Sequence, residues 1–374
     1  MSEYAPLNGE AIPHVIGRES NEELRQSTLQ RYTMLFRKGL FMSVADLSPF
    51  SPPTIDLKSL LPKWTRSLDD LQTAIPELAK NPKRLAELES LLNEVPTCHR
   101  SVLGDARDLV GVEPNSIHLV LTSPPYWTLK KYNDSDGQLG HFEDYSNFLI
   151  ELDRVWQRCF DVLVPGGRLI CVVGDVCLSR RKNNGRHTVV PLHASIQEHC
   201  REIGYDNLSP IIWNKIANVV HEVENGGGGF LGKPYEPNSV IKNDIEFILM
   251  QRKPGGYRSP SKAARLLSII SEENHKSWFV QIWSGLTGAS TRNHPAPYPE
   301  SLATRLIRMF SFVGDTVLDP FSGTGTTSIA AISCGRNSIG YEIDADYIKL
   351  ARKRIAERSN ELLSCARLEK FDLC

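Results

Sequence analysis

Residues 316–342 read TVLDPFSGTGTTSIAAISCGRNSIGYE. Thr316 to Asp319 reads as a strand and Pro320 to Gly325 as a tight loop. Thr326 to Cys334 reads as a helix stopped by Gly335, and Ser338 to Tyr341 as the next strand, with Glu342 at its carboxyl end. Strand, glycine loop, helix and a strand tipped by an acid is a layout that holds an adenosine-containing cofactor. Gly323 and Gly325 let the backbone come close, the helix start at Thr326 can receive a carboxylate, and Glu342 can accept both ribose hydroxyls.

Two cofactor classes fit that outline. A dinucleotide fingerprint asks for a third glycine or alanine where this chain has Ser328. Asp319 would also face a pyrophosphate unfavourably, yet it suits a cofactor bearing ammonium and sulfonium charges, a description met by S-adenosylmethionine.

A second informative stretch lies at Leu119–Tyr126, LVLTSPPY. Ile117, Leu119, Val120 and Leu121 form the short apolar run of a strand covered on both faces, which leaves Ser123 at its carboxyl end. Pro124 and Pro125 lack amide hydrogens and hold φ near one value, so they make a stiff loop with free carbonyls. Tyr126 and Trp127 add flat faces. A hydroxyl acceptor, a fixed carbonyl and an aromatic platform suit a planar group carrying an amino function, such as a nucleobase.

The 374 residues suffice for one large domain with an appendage, or for two domains, and 41% apolar content supports a sizeable core. Met1 to Glu10 is polar and acidic, unlike a signal peptide, and no apolar run has membrane-spanning length. The eight cysteines form no CxxC pair, so neither a metal site nor a disulfide framework is expected, and a reducing cytoplasm is the natural setting. A formal net charge of −1 gives no global sign of a nucleic-acid partner. The local clusters are Lys130–Lys131, then Arg180, Arg181, Lys182 and Arg186, then Lys253, Arg258, Lys262 and Arg265, each of which is more often plain solvated surface.

Residues 1–97 read as a helical N-terminal region. Ser20 and Glu23 have capping-box spacing, a helical stretch near Leu68 to Ile75 should stop or kink at Pro76, and Asn81-Pro82 starts another helix. From Cys98 strands and helices alternate, which predicts an α/β domain over 98–374. Phe142 to Leu163 carries Phe148, Leu149, Leu152, Val155, Trp156 and Cys159 at helical spacing and ends at Pro165-Gly166-Gly167. Arg168 to Val173 is a buried strand, Pro191 to Ile203 a helix, and Pro210 to Trp213 and Ile245 to Met250 are strands. Gly226 to Gly229 form a loop that is either disordered or accepts a large partner at close range. Residues 254–293 are weakly patterned, and Glu300 to Phe310 is helical.

TSPPY at 122–126, HPAPYP at 294–299 and DPFSGTGTT at 319–327 together resemble the DNA amino-methyltransferases, in the beta arrangement where the catalytic motif precedes the cofactor motif. The similarity spans roughly residues 98–358. It implies a Rossmann-like, mostly parallel seven-stranded sheet flanked by helices, with both sites at the strands' carboxyl ends. Carried over by position, Asp319, Pro320, Phe321, Gly323, Gly325 and Thr326 line the cofactor, Glu342 holds its ribose, Asp105 lies near its adenine, and His294 and Pro295 border its methionine part. Residues 251–293 are the candidate target-recognition segment, a job that residues 1–97 or the loop 179–187 can share.

The implied chemistry is base flipping followed by direct displacement. The target base stacks against Tyr126, while the Ser123 side chain and the Pro124 carbonyl, with Pro125 stiffening the loop, accept its two N–H bonds. Serine at the first motif position resembles the cytosine-N4 branch, whereas aspartate there is typical of adenine-N6 enzymes, which stay as the alternative. Double-stranded DNA is the implied partner, with a cognate restriction endonuclease beside it and monomer and homodimer both open. A non-catalytic DNA-binding protein predicts decay of Ser123, Tyr126, Asp319 or the glycines, and all are intact. Enzymes acting on RNA or on protein glutamine tend to begin the tetrapeptide with asparagine and to place the glycine motif first. A nicotinamide oxidoreductase is separable by a cofactor-binding assay.

Overall fold

The computed structural model describes residues 48–374, apart from 130–131, 134, 136, 179, 181–182, 216–242, 287, 289–297, 362–363 and 374. The capping box at Ser20, the glycine run 226–229 and the pair His294–Pro295 lie outside the described residues.

The described part of the region before Cys98 is helical. Helix α1 (Leu57–Leu60) is followed by α2 (Leu71–Ala79) and α3 (Pro82–Ser90). Asn81 caps α3 by accepting the Arg84 amide at 3.1 Å, with Pro82 at the first helical position where its missing N–H costs nothing. Pro76 does not end α2. The helix runs three residues past it, because Ala74 and Leu78 are buried and packing outweighs the lost hydrogen bond.

Strands β1 (Thr97–Leu103) and β2 (Ile117–Thr122) lead to α4 (Tyr145–Val162). Asp144 caps α4, and its buried stripe is Phe148, Leu149, Leu152, Val155, Trp156, Cys159 and Val162. Next come β3 (Leu163–Val173), the hairpin β4 (Val176–Leu178) and β5 (Thr188–Val190), then α5 (Leu192–Ile203), β6 (Asp206–Asn214) and β7 (Ile245–Arg252). The Pro165-Gly166-Gly167 turn expected after α4 is the first part of β3, with Gly166 at φ +76°. The weakly patterned stretch holds two short helices, α6 (Lys262–Leu267) and α7 (Glu272–Trp278), and a two-residue strand β8 (Ile282–Trp283). The chain closes with α8 (Glu300–Phe310), β9 (Thr316–Asp319), α9 (Thr326–Ser333), β10 (Asn337–Glu342), α10 (Ala345–Ser359) and β11 (Ala366–Asp372).

The sheet has nine strands in the order β11-β1-β10-β9-β2-β3-β7-β6-β8. The expected seven therefore gain an edge strand on each side. β11 pairs parallel with β1 and β8 parallel with β6. β7 runs antiparallel to both of its neighbours, and the other pairings are parallel.

Apolar layers cover both faces. One is built on α4 and α5 through Phe148, Leu152, Trp156 and Ile196, the other on α8 and α9 through Leu302, Leu306 and Ala330. Each fully buried leucine or isoleucine contributes about 1.5–3 kcal/mol, so these faces fix which strand end is open. A smaller cluster joins α2 and α3 to Leu266, Leu267, Ile269 and Val313 near the amino end of the sheet. No helix among the described residues is long and apolar enough to cross a membrane.

Candidate active site

Four neighbouring strands, β1, β10, β9 and β2, end on Leu103, Glu342, Asp319 and Thr122. The chain leaves β9 toward β10 and β2 toward β3, so the direction of winding reverses between β9 and β2. Open α/β sheets form a crevice at such a point. Here it is a cavity of about 590 Å³ counted to its open mouth, and Asp105, Ser123, Pro125, Pro320, Phe321 and Glu342 stand on its wall. Those six predicted residues, from four separate stretches, are brought together. Pro124, Tyr126, Asp319, Gly323, Gly325 and Thr326 are not among its lining residues.

The glycine loop explains part of this placement. Gly325 is the N-cap of α9 at φ +81°, and a Cβ there would come within 3.2 Å of Ala351 and Ile355. Its conformation and its packing against α10 demand glycine. Gly323, at φ +50°, donates its N–H to Glu342 Oε2 at 2.8 Å. Glu342 Oε1 accepts the Asp344 amide at 2.9 Å. Burial pushes the Glu342 carboxyl up to about 7, and those amides pull it back only in part. Each oxygen keeps a further lone pair, so a vicinal diol donating two hydrogen bonds would stabilise the anion.

Asp319 is 2% exposed and works beneath the cavity. Its Oδ1 accepts from Thr122 Oγ1 at 2.7 Å and the Phe321 amide at 3.1 Å, and its Oδ2 from Tyr298 at 3.2 Å and from Thr327. Burial raises its pKa despite these donors. This carboxylate ties β2, β9, α9 and Tyr298 into one knot. Tyr298 belongs to the HPAPYP motif, so a signal for it was present in the sequence.

Asp105 is held by a neighbour two residues on. Arg107 donates from its backbone at 2.9 Å and from its guanidinium at 2.5–3.0 Å, and also pairs with Glu151 of α4. Burial opposes the Arg107 charge, but the two carboxylates win and raise its pKa. No spacing in the sequence announces Arg107 or Glu151.

Tyr126 is 5% exposed and turned inward, so its ring is not a wall of the cavity. Its hydroxyl lies 3.2 Å from Ser123 Oγ and donates to the Val172 carbonyl at 3.4 Å. Burial keeps the phenol protonated by raising its pKa. The Val172 carbonyl can take the phenol hydrogen, which lets the Ser123 hydroxyl donate to Tyr126 and keeps the serine lone pairs available for an amino group. Gly174 separates Tyr126 from Glu246, whose carboxylate meets Lys215 at 2.6 Å. Beside them His193 stacks on Phe247 at 3.7 Å and meets Asp175 at 2.6 Å, and Trp127 sits edge-on to Tyr145 at 5.1 Å.

Comparison with known proteins falls in line with this arrangement. The DNA methylase family model matches residues 117–353, from the first residue of β2 to within α10. The chain belongs to the DNA methylase family. This methylase is 36% identical over 299 residues to the type II methyltransferase M.MjaI of Methanocaldococcus jannaschii, covering 72% of this chain and 95% of that one. M.MthZI of Methanothermobacter thermautotrophicus is also 36% identical, over 71% of this chain and 80% of its own. Among solved structures, TTHA0409 of Thermus thermophilus, a candidate DNA modification methylase crystallised with S-adenosyl-L-methionine, shares 50% identity. It covers 73% of this chain and the whole of its own, at a TM-score of 0.59. Among the described residues of the methylase, no cluster of His, Cys, Asp and Glu is set to hold a metal.

Proposed function

We propose that this methylase transfers a methyl group from S-adenosylmethionine to the exocyclic N4 amino group of cytosine in duplex DNA, by base flipping and direct displacement. The observation that carries the reading is the Ser123–Tyr126–Val172 hydrogen-bond chain beside a cavity with Glu342 on its far wall. When bound, the cofactor supplies an electrophilic methyl on a sulfonium.

The chain's residues fit that group. Glu342 accepts the ribose hydroxyls, Asp105 stands fixed by Arg107 for the adenine, and Phe321 and Pro320 close the apolar side. The Ser123 lone pairs and the Pro124 carbonyl accept the two amino hydrogens of the extruded base, which localises the nitrogen lone pair. Extrusion costs roughly a few kcal/mol, offset by contacts in the cleft. The Tyr126 ring is turned inward, and Tyr132 and Phe321 are flat faces that line the cavity with Ser123; His294 and Pro295 keep their assignment beside the methionine part.

The type II designation of the relatives supports a restriction–modification setting, with a cognate endonuclease acting on the same DNA site. A division into a helical region 1–97 and a catalytic domain 98–374 accompanies the proposal. Leu286, just after β8, lies near the carboxyl end of the sheet, where its carbonyl accepts the Trp213 indole N–H at 3.0 Å, which supports 251–293 as the segment that reads the target.

Incubating the protein with labelled S-adenosylmethionine and mixed-sequence duplex DNA, then digesting to nucleosides, tests this reading. N4-methylcytosine is the expected product. N6-methyladenine would overturn the base assignment and keep the site, and unlabelled DNA would overturn both.

A further inference from the structure

The opposite end of the sheet carries a second and larger hollow. The start of β3, the end of β7, the loop after it, helices α6 and α7 and residues 308–312 enclose about 1940 Å³, counted to the open mouth. The space open to water within it is about 800 Å³, the size of a small-molecule site, so the chemistry of the wall and not its volume selects the occupant.

Its wall is cationic. Arg252 is paired with Asp206 at 2.7 Å, Arg258 with both oxygens of Asp315 at 2.7–2.8 Å, Arg308 with Glu89 at 2.6 Å and Lys276 with Glu272 at 3.4 Å. Lys80, Arg168 and Arg265 also line the groove and have no carboxylate partner among the described residues. Arg168 is the most telling. It lies over the Phe310 ring at 5.7 Å, and its Nε is buried without an acceptor. Burial and the nearby charges of Arg252 and Arg258 push its pKa down, as expected of a cation facing like charges. Leaving a half-buried guanidinium unpaired costs stability unless an anion completes it.

Aromatic faces are interleaved with these charges. Tyr257 is 92% exposed and Phe279 48%, with His275 stacked on Phe279 at 4.4 Å. Charge tracks a phosphate backbone and flat rings take successive bases, the combination used to hold single strands. A duplex keeps its bases stacked inside and would leave both rings without a partner.

We propose that this amino-end groove binds a single strand of nucleic acid, with phosphates on Arg168, Arg265 and Lys80 and bases stacked on Tyr257 and Phe279. The site is separate from the methyl-transfer cleft and does not rest on the reaction assigned to it. Three phosphate contacts predict a log–log salt slope of about −2.

The test is fluorescence anisotropy of a labelled 20-mer of deoxythymidine with the full-length protein. The charge-reversed double variant Lys80→Glu, Arg265→Glu should bind at least tenfold more weakly, with a salt slope shallower by about 1.4. Tyr257→Ala, at a position too exposed to disturb folding, should weaken binding by about fivefold or more. Both variants should bind S-adenosylhomocysteine with the wild-type affinity. A bromodeoxyuridine strand should photocrosslink to the peptide bearing Tyr257 or Phe279. Unchanged affinity in both variants, or crosslinks confined to residues 123–127, would overturn the proposal.

Discussion

At the carboxyl end of β1, β9 and β10 the polar side chains are carboxylates, Asp105, Asp319, Glu342 and Asp344, whereas at the start of β3 and the end of β7 they are arginines. Much of this opposition comes from the helices. Each helix that follows a parallel strand starts at the carboxyl end, where unpaired N–H groups and the helix dipole favour anions. Asp344, for example, accepts two amides of α10 at 2.9 Å. Helices finish at the other end, and Arg265, Lys276 and Arg308 all lie in last turns, with Lys80 at a C-cap. Arg168 and Arg252 escape that account because they sit on strands, and of the two only Arg168 lacks a carboxylate among the described residues. Helix direction thus explains part of the charge pattern, and the strand arginine without a carboxylate marks where a ligand fits.

The sharpest way to break this comparison is at Ser123. Ser123→Ala should lower methyl transfer by about a hundred- to a thousandfold, the scale for removing one positioned hydrogen-bonding group, while leaving S-adenosylhomocysteine affinity unchanged. Equal losses in rate and in cofactor affinity would place Ser123 in the cofactor site instead. Glu342→Gln should weaken S-adenosylhomocysteine binding by roughly tenfold or more in calorimetry, since hydrogen bonds to a charged acceptor contribute about 1.5–3 kcal/mol. It should leave single-strand binding at the far end untouched.

Asp319→Asn separates wall from foundation. Its amide nitrogen would face donors on Thr122 or on Thr327 and Tyr298, so unfolding by urea should show a loss of about 1–3 kcal/mol. Cofactor affinity of the folded protein should change little, and the reverse pattern would put Asp319 on the cavity wall.

The last effect is on pH. In the free protein Glu342 is half protonated near pH 7, and hydroxyl donors in a complex would lower its pKa. Binding then expels a proton below that pH. Affinity should climb between pH 5 and 7 by at most about tenfold per unit and level off above, with Glu342→Gln flattening the curve.

Local signals were legible and directional ones were not. The unit from Thr316 to Glu342 was readable because strand, glycine loop, helix and acid are contiguous. The α4 stripe was readable because its period is helical. β11 is not legible in the sequence, since ARLEKFD mixes half-buried and exposed positions at a sheet edge and carries no apolar run. The inward turn of Tyr126 and the burial of Asp319 depend on which way a side chain leaves a loop, and a motif does not encode that. Arg107 and Glu151 meet across 44 positions, a pairing that only the fold creates.

The centre of the sheet has a consequence for biosynthesis. β2 and β9 are adjacent, and Thr122 meets Asp319 across 197 positions of chain. At roughly 5–20 residues per second a ribosome needs on the order of 10–40 s to deliver the second partner after the first. Throughout that interval β2 has an unpaired inner edge, which makes the nascent chain a substrate for chaperones and gives a strongly non-local, slow-folding topology. The pair that unites the two halves of the cleft can therefore form only after most of the chain has been made.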